Sequence, residues 1–109
     1  MSTEQMTPVY SSFGTDPDML DLVQEFVVAL PDRAAAIEAA TAAQDLETLR
    51  RLAHQLKGAS GGYGFEVIGQ AAASLESSVK AAAAMSEVTG RVQELVSLCR
   101  RAKVCPEQD

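Results

Sequence analysis

His54 is the one histidine of the chain, and its neighbourhood differs from the rest of the sequence. Within four residues of it lie Arg50, Arg51, Lys57 and Gly58, and Gly61 follows two helical turns on. A free imidazole, whose reference pKa is about 6.5, is largely neutral near pH 7 and offers a nucleophilic lone pair. Such a ring can accept a phosphoryl group, and the neighbouring lysine and arginines can partly offset the negative charge that arrives with it. A site needing two imidazoles is excluded, and a Ser–His or Cys–His mechanism could use only this residue as its base. Cys99 and Cys105 are too poorly spaced for a zinc site, so no metal-binding set is expected. The glycine run from Gly58 to Gly64 lacks a Gly-Lys-Ser/Thr ending, and its lysine precedes the glycines, which argues against a nucleotide-phosphate loop. Catalytic groups that drive a transfer must therefore come from a partner.

Each feature has a bland explanation. An exposed histidine is usually just polar surface, scattered cations are usually a solvated face, and glycines often end helices. The helical wheel joins them. Leu46, Leu49, Leu52, Ala53, Leu56 and Ser60 fall on one side, and His54 lies roughly 140° from the centre of that stripe. It faces outward beside Arg50, Arg51, Lys57, Gly58 and Gly61. Glycine inside a helix costs about 1 kcal/mol relative to alanine, so Gly58 needs a reason such as the close approach of another surface.

The elements that must hold this face are helical. Asp16 before Pro17 reads as a helix start, with Leu20, Val23, Phe26, Val27 and Leu30 on one face and Pro31 as its end. A second, alanine-rich segment runs from Arg33 to about Ala43. Asp45 caps the helix that carries His54, and a turn is expected near Gly61 to Gly64. Two further helices, at about Phe65–Ala83 and Glu87–Lys103, repeat apolar residues in alternating steps of three and four, the pattern of an antiparallel bundle seam. No segment alternates with period two long enough for a strand. The expected fold is all-α: an antiparallel four-helix bundle with one additional short N-terminal helix. The domain is expected over residues 13–104, between a flexible N-terminal tail, 1–12, and a short C-terminal tail, 105–109.

At 109 residues the chain is one domain's length. Aromatics make up only 5% and Trp is absent, so the core is expected from Ala, Leu, Val and Ile. The net charge of −6 disfavours nucleic acid and anionic membranes as partners. Yet Leu46 to Gly64 sums to +2, a cationic patch on an otherwise acidic protein. No apolar run is long enough to span a bilayer, the N-terminus does not read as a secretory signal, and two cysteines make no disulfide scaffold. A cytoplasmic monomer is the resulting expectation.

His54-Gln55-Leu56-Lys57-Gly58, followed by Gly64, Ile68, Ala72 and Leu75-Glu76, resembles the signature of histidine-containing phosphotransfer (HPt) domains of two-component phosphorelays. The residues leading into it, including Phe26, Leu30-Pro31, Asp45 and Leu49-Arg50-Arg51-Leu52-Ala53, are similar to the run that precedes that signature. The resemblance covers roughly residues 16–76. It implies that His54 is the phospho-acceptor, that Lys57 interacts with the phosphoryl group, and that Gly58 leaves room for a docking partner. Gly64 would lie at the turn between the central helices. Ala59-Ser60 stands where Ser-Ser or Ser-Ala is frequent, and Ala72 where a larger residue or Cys is frequent. Glu76 occupies a place where some members use Gln to reach the histidine, and it is left out of the expected site. The implied partners are a receiver domain, which would carry the phospho-aspartate and the Mg²⁺, and a hybrid histidine kinase. No cofactor of the chain's own and no ATP site are implied, so the chain would be a stoichiometric carrier and not an enzyme. Two other classes remain: a docking module that binds a receiver or kinase without being phosphorylated, and, with neither a nucleophile-elbow motif nor a metal set behind it, a histidine-based hydrolase.

Overall fold

Helices follow the apolar stripes of the sequence, and the longest departure from the expected boundaries follows a stripe of buried residues. The computed structural model describes residues 7–105, with four helices: α1 (Leu20–Ala42), α2 (Leu46–Gly62), α3 (Glu66–Lys80) and α4 (Met85–Arg100). Short turns join them, so consecutive helices return antiparallel. Each packs on two neighbours, α1 and α3 both lying between α2 and α4.

The additional short helix does not form, because Pro31 lies inside α1 and not at its end. Val23, Phe26, Leu30, Ala34, Ile37 and Ala40 are buried in one continuous stripe that crosses the proline. Interior proline costs about 3 kcal/mol, and burying Ile37 alone returns roughly 1.5–3 kcal/mol, with Ala34 and Ala40 adding to it. Pro31 itself is exposed, so its ring stands on the solvent side. The start also moves. Asp16 accepts the amide of Asp18 on its side chain and those of Met19 and Leu20 on its carbonyl, forming a turn that leads into a helix opening at Leu20.

The N-terminal segment is not loose throughout. Residues 1–6 lie outside the described residues, but Val9–Tyr10 (β1) pairs in parallel with Ala102–Lys103 (β2). Two-residue strands leave no alternating pattern in a sequence, which is why none was legible. Ser11 Oγ donates to the carbonyl of Tyr63, and the Ser12 amide donates to that of Gly64. A β-carbon on Gly14 would collide with the Val104 carbonyl, so glycine allows this strap to lie flat.

The core departs in composition too. Alanine, leucine, valine and isoleucine fill most of it, but Phe26 stacks on Tyr63 at 4.7 Å and on Phe65 at 5.8 Å between ring centroids. Three of the five aromatic residues thus gather where α2 turns into α3. Gly64 makes that turn at φ +82°, and the Ser11 and Ser12 hydroxyls leave no space for a side chain there.

Candidate functional site

α2 presents the histidine, and its register is set from its first residue. Asp45 Oδ1 accepts the Thr48 amide at 3.2 Å, and the Thr48 hydroxyl donates to Oδ2 at 2.8 Å. These bonds hold the Asp45 carboxyl below its ordinary range, with Arg51 adding a smaller pull. Leu49, Ala53, Leu56 and Ser60 are buried as the wheel requires, while Leu46, at the helix end, is 37% exposed. His54 lies opposite, its side chain 62% exposed.

What lies beneath the imidazole comes from α3. A β-carbon at Gly69 would meet the Lys57 carbonyl and Ser60 Cβ at ordinary contact distance, which places this face of α3 directly against α2. Along this antiparallel pair, Ser60 meets Gly69 and, two turns away, His54 meets Glu76. The side chain of Glu76 is only 4% exposed, and three donors surround it. His54 Nδ1 stands 2.9 Å from Oε2, Lys57 Nζ donates to Oε1 at 2.8 Å, and Lys80 Nζ lies 3.4 Å from Oε2. The Lys57 hydrogen bond, followed by that of His54 and the Lys57 and Lys80 charges, holds the Glu76 carboxyl down at about 2 against the opposing effect of burial.

An ionised carboxylate offers only lone pairs, so Nδ1 must carry the ring hydrogen. Nε2 then keeps the lone pair of the neutral ring. The arrangement parallels a carboxylate that fixes a catalytic imidazole in one tautomer and steadies positive charge developing on it.

The structure brings His54 and Lys57 together through Glu76, the residue left out of the expected site. One signal for it was available in the sequence. Glu76 is the lone carboxylate among the apolar positions of α3, next to Leu75 and one turn from Ala72, and an acid on a core face requires partners. Gly58 and Gly61 are exposed on the same helix, and a β-carbon at either would meet nothing within 4 Å. Packing within the chain therefore does not demand these glycines. Arg50 is half-buried and Arg51 exposed. Among the described residues no hydrogen bond or ion pair joins either arginine to the His54–Glu76 cluster, and the charge of Arg51 is felt at Asp45.

Among the described residues no helix is long and apolar enough to cross a membrane. No match was found among curated proteins or solved structures. A family model described as "Hpt domain" does match residues 21–103, from the first turn of α1 through β2. With four helices around one core and most of its length matched, the chain belongs to the Hpt domain family, the phosphocarrier modules of two-component signalling.

Proposed function

We propose that the chain carries a phosphoryl group on His54 Nε2, accepting it from and returning it to the phospho-aspartate of a receiver domain. The observation that carries this reading is the imidazole itself: an exposed ring whose Nδ1 is tied to a buried carboxylate, which leaves Nε2 as the nucleophile. In the transfer, the Nε2 lone pair attacks phosphorus. The bond from phosphorus to the aspartyl oxygen breaks, and the aspartate leaves with that electron pair. The ring keeps its Nδ1 hydrogen and gains positive charge, which Glu76 is placed to stabilise. Lys57, three residues along the same helix face, supplies a cation to the incoming phosphoryl oxygens.

The docking face is the exposed side of α2. Gly58 and Gly61 give a receiver backbone room to approach, and Arg50 and Arg51 offer positive charge to its acidic pocket. Mg²⁺ would be held by that pocket and neutralise charge on the transferring group. Mixing the protein with a phosphorylated receiver tests the reading. Label should move onto the chain, be acid-labile and alkali-stable, and vanish in His54→Gln. A stable receiver complex that never passes label would identify a docking module.

A further inference from the structure

Glu76 has more positive charge around it than one carboxylate requires. Lys57 donates to Oε1 at 2.8 Å, and Lys80 lies 3.4 Å from Oε2, the oxygen already bonded to His54. Among the described residues these three are the titratable or charged groups that meet the carboxylate: His54 and Lys57 from α2, Lys80 from α3, none from α1 or α4.

A carboxylate beside an imidazole has two opposed effects. It selects the Nδ1–H tautomer, but an unbalanced and buried carboxylate also draws a second proton onto the ring. An imidazolium has no lone pair with which to attack. A neighbouring ammonium weakens that pull. The two lysines differ in where they can go. Lys57 stands three residues from His54 on the same face of α2, so its flexible stem can turn to a group on the ring. Lys80 stands on α3, one turn beyond Glu76, with its side chain 58% exposed.

We infer that Lys80 is the reserve counter-ion of Glu76, a positioning residue that balances the buried carboxylate when Lys57 turns to the phosphoryl group on His54. The inference rests on the phosphocarrier reading above. It bears on how long phospho-His54 lasts. In hydrolysis, water attacks phosphorus, the P–Nε2 bond breaks, and its electron pair returns to Nε2. With Nδ1 protonated the ring leaves as neutral imidazole, a good leaving group; without that proton it would leave as imidazolate, a poor one. With Lys80 in place Glu76 holds the Nδ1 proton less tightly, and the phosphorylated ring survives longer.

Two measurements test this. In the unphosphorylated protein at neutral pH, ¹⁵N NMR of His54 should show the neutral Nδ1–H ring in wild type, Lys57→Ala and Lys80→Ala. That signature should be lost to imidazolium in the Lys57→Ala/Lys80→Ala double variant and return in Lys57→Ala/Lys80→Arg. In the phosphorylated protein, Lys80→Ala should shorten the lifetime of phospho-His54 about two- to fivefold, as expected for loss of an exposed ion pair, and Lys80→Arg should restore it. Identical ring states in Lys57→Ala and the double variant, or a wild-type lifetime in Lys80→Ala, would overturn the assignment. If wild type takes no label from any phosphorylated receiver, the phosphocarrier reading fails instead. The NMR comparison involves no phosphate and still decides the role of Lys80.

Discussion

At the residue scale, the central feature is a histidine tied by a hydrogen bond to an acid 22 positions away. His54 and Lys57 are legible because they share one helix face, and spacing of three is visible in any sequence. Glu76 is not legible as a partner, since its meeting with His54 requires a particular docking of α3 on α2. Glu76→Gln keeps an acceptor for Nδ1–H but removes the charge that, in the proposed transfer, steadies the ring. Receiver-to-His54 transfer should then slow about tenfold or more, measured as initial label transfer at fixed receiver. The same acid shapes the pH dependence of stability. Its folded-state value is depressed from 4.5 to about 2, so the unfolded chain binds more protons in that interval. The stabilisation is complete above the ordinary glutamate range and is lost as pH falls toward 2. Denaturant midpoints recorded against pH should accordingly fall less steeply in Glu76→Gln than in wild type across that window.

At the scale of the elements, apolar periodicity decides. Leu56 is buried and Lys57, next to it, has its side chain 40% exposed, so neighbours in sequence have opposite roles. Leu56→Ala should lower stability by about 2–5 kcal/mol. Lys57→Ala should leave the helix signal intact and unfold at higher denaturant than Leu56→Ala. A reversed order by circular dichroism would mean that α2 is rotated. Pro31 gives the opposite kind of lesson. Local sequence treats it as a helix end, yet the stripe of Val23, Leu30, Ala34 and Ile37 runs through it. Pro31→Ala should therefore raise stability, by up to about 3 kcal/mol. Should the substitution lower the unfolding midpoint, the continuous α1 would not be the solution state.

At the scale of the whole molecule, the strap from Val9 to Gly14 ties the α2–α3 turn to the chain's C-terminal end. It presses on Gly64, where a positive φ and the two serine hydroxyls both exclude a side chain. Gly64→Ala should cost about 1–3 kcal/mol in equilibrium unfolding; a neutral effect would show that the strap does not press on this turn. The outward histidine, its cationic neighbours, the glycine gap and the all-helical class follow from sequence alone, because each depends on spacings of three and four within one helix. Tertiary structure alone decided the pairing of His54 with Glu76, that of Lys57 with Glu76, the single α1 through Pro31 and the docking of the N-terminal strap. All four depend on which elements meet and in what register, and that is set by burial summed over the whole core, which no local stretch of residues encodes.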